Sequence, residues 1–239
     1  MGKIIAIGGG DNGWGNSKYE TLRADLEIVN LTKKNPVFLF IGFASLDIDE
    51  YYKVIRDIFK PYGCRFLNLD HIVCKKGYAS EYIGIADIIY VGGGSTLKLM
   101  KYIEEYNLVT PLINAYNRGA VMCGVSAGAN CWCSYGNSAG MENPICVQGI
   151  GLIDIIFCPH SKRDPFRHKS MLQMLKEHKG TMGLELDFAA LEVIDNQFRI
   201  IKLDDRFVAK KEWWINNRIH EEYIKPEVFF SIDELYVIP

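Results

Sequence analysis

A doubly wound α/β sheet is the fold class that this sequence predicts, and two observations carry the prediction. Up to about residue 180, apolar strand-like runs alternate with helical patterns. The interiors of those runs are rich in Ile, Val and Phe with little polar alternation, as parallel strands covered on both faces require. The strand-like runs are 3–8, 37–42, 64–69, 87–91, 120–125 and 153–157. Helical patterns occupy 17–30, 47–59, 95–106, 111–118 and 165–176, and another helix begins at Ala127. After residue 180 the runs 181–186, 189–194 and 198–203 are short, and Asp195-Asn196 is a hairpin signal between the last two. They read as an antiparallel extension on one edge of a mostly parallel sheet. No linker, repeat or low-complexity tract interrupts the chain, so residues 1–239 form one domain. Trp213-Trp214 reads as a buried anchor for the tail rather than a base-stacking platform.

Composition narrows the function. Of 239 residues, 49% are hydrophobic and 23% charged, which excludes a disordered chain. The 27 basic and 29 acidic residues leave a net charge of −2, so nothing drives binding to a phosphate backbone, and no nucleic-acid partner is expected. No apolar run reaches the length of about 18 residues that a membrane helix needs. The short apolar run after Met1 ends at Gly8, too early for a signal peptide, and Ala6 breaks the myristoylation pattern begun by Gly2. The seven cysteines are odd in number, contain no CxxC, and read as reduced thiols in a cytoplasmic protein with no metal site.

Gly8-Gly9-Gly10-Asp11-Asn12-Gly13 satisfies the dinucleotide pattern GxGxxG. Asp11 would place a carboxylate against a pyrophosphate. Trp14, Gly15 and Asn16 delay the helix, and the second strand ends without a ribose-binding acid. The cluster therefore reads as a tight turn, and no cofactor is expected.

Residues 120–130 carry the strongest signal: a buried strand, then Gly124-Val125-Ser126-Ala127-Gly128, then small residues that open a helix. A nucleophile on a sharp strand-to-helix turn needs small neighbours, because its backbone is strained and strand and helix pack closely. Ser126 is the expected nucleophile. A serine hydroxyl needs a base, and a base needs an orienting acid. His160 directly follows a strand, at the edge where such sheets gather their active sites. His168, His178 and His220 lie in charged stretches, and His71 lies in an ordinary strand–helix connection. For the acid, Asp187, Glu185 and Glu142 are all open, with Asp187 preferred at its strand end. The oxyanion donors are expected from Gly93 or Gly94, in the Gly92-Gly93-Gly94 turn, and from the Ala127 N–H.

Val91-Gly92-Gly93-Gly94-Ser95-Thr96, Gly124-Val125-Ser126-Ala127-Gly128-Ala129-Asn130 and Cys158-Pro159-His160 together resemble the peptidase E-like serine peptidases, in the same order along the chain. That family includes aspartyl dipeptidase and cyanophycinase. The resemblance covers roughly residues 1–205 and implies a class I glutamine amidotransferase-like, flavodoxin-like fold. It further implies a triad of Ser126, His160 and a late-strand acid at Asp187, with Glu142 as the alternative acid, acting on small peptides. Two features depart from the family pattern: Ser95 replaces an asparagine, and the loop 161–167 is short. Arg163 and Arg167 in that loop are candidate partners for an acidic substrate side chain. The expected activity is a short-peptide hydrolase of dipeptidase or exopeptidase type working through an acyl-enzyme. The competing expectation is a non-catalytic small-molecule or sensor module on the same fold. Homo-oligomerisation is left open.

Overall fold

The computed structural model describes residues 2–140 and 143–238, and of Asn16 the backbone alone. Five strands lie parallel in the first sheet: β1 (Lys3–Ile7), β2 (Val37–Ile41), β3 (Arg65–Leu69), β4 (Ile88–Val91) and β5 (Val121–Val125), in the spatial order 1-5-4-2-3. Strands β2, β4 and β5 are buried along their whole length, because helices cover both faces. The side-chain period of two sorts the residues. Ile5 and Ile7 of β1, with Phe38 and Phe40 of β2, pack on α1 (Leu22–Asn30) and α2 (Ile48–Phe59). Ile4, Leu39 and Ile41 face the opposite layer. There α3 (His71–Lys75) leads into α4 (Ala79–Ile85), α5 (Thr96–Glu105) and α6 (Val109–Arg118), which bury Ile83, Leu99, Ile103 and Leu112.

Beyond β5 the chain departs from the single-sheet expectation. One helical turn, α7 (Ala127–Asn130), leads into β6 (Cys133–Ser138), β7 (Ile145–Gln148) and β8 (Ile153–Pro159). Helix α8 (Pro165–Glu177) then leads to β9 (Met182–Asp187). These strands build a second sheet, in which β8 lies parallel between β6 and β9. The run 181–186 is therefore not part of an antiparallel meander. Phe188, with φ 48°, is the only residue between β9 and β10 (Ala189–Ile194), and the chain changes sheet there. Strand β10 pairs antiparallel with β1 and forms the expected hairpin with β11 (Gln197–Lys202), where Asp195 has φ 53°.

The tail is more regular than the sequence reading allowed. A hairpin of β12 (Val208–Ile215) and β13 (Arg218–Tyr223) turns at Asn216-Asn217, both at positive φ. Strand β12 also pairs antiparallel with β9, which completes a six-stranded second sheet. Strand β14 (Phe230–Ser231) pairs with β11 in the first sheet, and α9 (Asp233–Tyr236) follows. Of the Trp213-Trp214 pair, Trp213 is buried and stacks on His220, whereas Trp214 is only partly buried, with Lys176 over its ring. The architecture is mixed α/β with a mostly parallel first sheet. Among the described residues no helix is long and apolar enough to cross a membrane.

Candidate active site

Two glycines flank the elbow, and a side chain on either would collide with backbone. A Cβ on Gly124 would lie 2.6 Å from the Val91 carbonyl oxygen, and one on Gly128 would lie 2.0 Å from the same atom. Strand β5, the α7 turn and β4 thus pack backbone against backbone. Ser126 between them holds φ 55° and ψ −106°, a conformation costly for a residue with a side chain. Because α7 is a single turn, it supplies local N–H donors rather than the macrodipole of a long helix.

Strand β1 brings the second sheet to this elbow. The Ser126 N–H donates to the Ile7 carbonyl at 2.9 Å, and the His160 N–H donates to the next carbonyl, Gly8, at 2.8 Å. The first glycine cluster makes this approach possible. A Cβ on Gly8 would lie 2.3 Å from the Leu186 Cβ, and one on Gly9 would lie 2.0 Å from Asp187 Oδ1. His160 (φ 59°) and Phe188 (φ 48°) are also held at positive φ, so β5 of the first sheet and β8 and β9 of the second each end in a strained residue.

There His160 Nε2 lies 2.9 Å from Ser126 Oγ. The other ring nitrogen has an unexpected neighbour. Arg163 Nη2 stands 2.7 Å from His160 Nδ1. Asp187 is wholly buried, and its carboxylate accepts from the Arg163 backbone N–H at 3.0 Å, Arg163 Nε at 3.1 Å and the Phe188 N–H at 3.0 Å. The aspartate therefore grips the arginine, and the arginine, not the aspartate, touches the imidazole. Arginine offers only donors, so Nδ1 is an acceptor in this arrangement and the ring proton of neutral His160 faces Ser126. Burial, with the Arg163 charge second, pushes the His160 pKa down to about 3. Burial raises the Asp187 carboxyl, opposed by the Arg163 charge.

The remaining expected residues fall as follows. Arg163 also pairs with Asp11 at 3.3 Å and lies 4.7 Å from the centre of the Phe188 ring. Arg167 does not line the cavity over the elbow: it is buried, bonded to Asp164 and to the Asn137 carbonyl. Glu142 lies outside the described residues. Glu185 is committed to His168 at 2.9 Å and to Lys210 at 3.5 Å. The Gly93 N–H is already given to the Tyr51 hydroxyl at 3.1 Å. The Gly94 and Ala127 N–H groups have no partner among the described residues. A cavity of about 750 Å³ opens over the elbow, and Asp11, Trp14, Ser45, Lys98, Ser126 and His160 line it. Sequence reasoning missed Asn12, Tyr51 and Lys98 in this wall. Tyr51 sits on the buried stripe of α2 and is indistinguishable there from an ordinary core residue.

Among the described residues one group could hold a metal by spacing: His168, Glu185 and Glu212, whose ligand atoms lie within 4.8 Å of one another. Lys210 Nζ sits 2.7 Å from Glu212, so an ammonium already supplies the countercharge.

Comparison with known proteins agrees with this architecture. The sequence model of peptidase family S51 matches residues 4–201, from β1 to the penultimate residue of β11. The chain is 30% identical over 199 residues to the uncharacterized peptidase YgaJ of Bacillus subtilis, covering 82% of this chain and 85% of that protein. It is 29% identical over 131 residues to peptidase E of Salmonella arizonae, covering 54% of this chain and 56% of that protein. Among solved structures, a peptidase from an acI-B1 Actinobacterium superposes with a TM-score of 0.71 at 17% identity, covering 97% of both chains. A putative peptidase E from Listeria monocytogenes superposes with a TM-score of 0.62 at 17% identity, covering 85% of this chain and all of that one. At those identities the two structures speak for the fold alone. The sequence match is what extends through the first sheet, the elbow and the strand that carries His160, and on that ground this chain belongs to peptidase family S51.

Proposed function

We propose that this chain is a serine peptidase that hydrolyses short peptides through an acyl-enzyme, with Ser126 as nucleophile and His160 as base. The observation that carries the reading is the 2.9 Å contact between Ser126 Oγ and His160 Nε2 on a strained elbow that lines the cavity. A cavity of about 750 Å³ suits a small ligand rather than a folded protein. The amidotransferase-like topology and a reducing cytoplasmic location complete the reading, the latter supported by seven free cysteines.

In the proposed reaction His160 accepts the Ser126 proton as Oγ attacks the peptide carbonyl. The Gly94 and Ala127 N–H groups donate to the oxyanion. His160 then passes the proton to the leaving amine, and water deacylates the serine by the same route in reverse. A base at Nε2 needs its proton on Nδ1, with an acceptor beside it. Arg163 therefore gives up Nδ1 during the cycle, and Asp187, which already holds Arg163, is the acid proposed to take its place. The chemistry calls for no metal and no cofactor.

One observation favours a second reading. An imidazole facing a guanidinium instead of a carboxylate is a weak base, as expected of a non-catalytic binding module. Two measurements decide between the readings. Ser126→Ala should abolish hydrolysis of a dipeptide and tripeptide panel that varies the first residue. A fluorophosphonate should label the Ser126 peptide of the wild type. Unchanged hydrolysis in the variant would remove the peptidase reading, and no adduct together with no turnover would favour the binding module.

A further inference from the structure

Tyr51 lines the cavity with Ser126 and His160, yet its side chain belongs to the core. It is only 2% exposed. Trp14 stacks on its ring at 4.8 Å, and Phe40 meets it edge-on at 5.2 Å. The hydroxyl is held as rigidly as the ring. It accepts from the Gly93 N–H at 3.1 Å and from Asn12 Nδ2 at 2.6 Å. The Trp14 N–H donates to Asn12 Oδ1, which orients the amide so that its NH₂ faces the tyrosine.

Two accepted bonds use both lone pairs of the hydroxyl oxygen. The hydroxyl hydrogen must point elsewhere, and no hydrogen bond donated by it is present among the described residues. The buried Tyr90 hydroxyl makes no hydrogen bond with Tyr51. The cavity that Tyr51 lines beside the glycine turn is where an acceptor for the Tyr51 hydrogen can enter. The turn lies beside the elbow: Val91 pairs with Gly124, and a Cβ on Gly93 would lie 3.4 Å from the carbonyl oxygen of Val125, the residue before Ser126.

We propose that the Tyr51 hydroxyl is a catalytic hydrogen-bond donor of the oxyanion site, taking the place that the Gly93 N–H fills in the simplest reading of the glycine turn. This deepens the serine-peptidase reading and rests on it. The Gly93 N–H acts through Tyr51: it holds the oxygen and leaves the hydrogen free for the developing charge. Burial pushes the Tyr51 hydroxyl up to about 12, so it keeps its hydrogen at working pH. A donor fixed before the substrate arrives needs no reorganisation as charge develops.

The test is kinetic. Tyr51→Phe should lower kcat on short peptides by roughly 100-fold with KM nearly unchanged, and should weaken binding of a peptide aldehyde by a similar factor. Incorporation of 3,5-difluorotyrosine at position 51 keeps the ring and its contacts but brings the phenol ionisation into reach. Its kcat should fall on the alkaline side in step with phenolate absorbance, whereas wild-type kcat should not. This second measurement stands even where Tyr51→Phe fails to fold. A folded Tyr51→Phe protein with wild-type kcat, or a fluorinated protein indifferent to phenolate formation, would overturn the proposal. Ser126→Ala in the same assay separates the two readings. Hydrolysis surviving in Ser126→Ala sinks the peptidase itself; an inactive Ser126→Ala beside a fully active Tyr51→Phe sinks only the tyrosine.

Discussion

His160 concentrates the physical tension of the site in one side chain. Its Nε2 meets Ser126, while its Nδ1 meets a cation that opposes the imidazolium the proposed reaction forms. Removing that cation should therefore raise the histidine pKa. In Arg163→Met, NMR titration should find His160 ionising well above about 3, although still below the ordinary value, because burial is the larger cause. An unmoved titration would show that the guanidinium does not govern the ring. The same residue makes stability depend on pH. Its folded pKa is below the unfolded value of about 6.5, so the folded state resists a proton that the unfolded chain accepts. The contribution is fully favourable above pH 6.5 and is lost as pH falls towards 3. Relative to His160→Gln, the wild type should lose urea-midpoint stability between pH 7 and pH 4.

At the scale of elements, the elbow and the second sheet invite opposite substitutions. Gly128→Ala drives a Cβ to 2.0 Å from the Val91 carbonyl oxygen, a backbone atom that cannot retreat. It should cost about 3 kcal/mol or more in denaturant unfolding. Gly84→Ala, exposed inside α4 with open space around it, should instead stabilise the fold by about 0.5–1 kcal/mol. In the second sheet, burial and the Glu185 charge raise the Glu212 pKa to about 7, against the opposing pull of Lys210. A carboxyl whose folded pKa is raised loses stability as pH climbs from its unfolded value through the folded one. Glu212→Gln should thus gain on the wild type between pH 5 and pH 8 in unfolding midpoints, and a constant gap would refute the assignment.

The whole molecule is organised by the end of β1. Two consecutive carbonyls there, Ile7 and Gly8, receive the backbone N–H groups of Ser126 from one sheet and of His160 from the other. Gly9→Ala places a Cβ 2.0 Å from Asp187 Oδ1 and 3.0 Å from Arg163 Nη2, at the meeting point of the two sheets. It should lower kcat out of proportion to any fall in melting temperature, because it shifts the acid and the arginine against the histidine. Equal losses of both would mean that the turn is merely structural.

Much of this was legible along the chain. The parallel runs, the 195–196 hairpin and the Ser126 elbow are local patterns of apolar period, turn chemistry and small residues. Such patterns act within a dozen residues, so a linear reading can find them. The split into two sheets was not legible, because a single residue, Phe188, is enough to carry the chain from β9 to the other sheet, and a strand pattern says which residues are buried, not which partner strand buries them. Arg163 between Asp187 and His160 was not legible either. It comes from the same loop as His160, and only the folded loop shows that its guanidinium reaches the imidazole before the carboxylate does. Sequence alone determined the elbow and the type of side chain at each strand end, since backbone sterics there admit few residues. Tertiary structure decided who touches whom, since that depends on how two sheets dock over a pair of glycines.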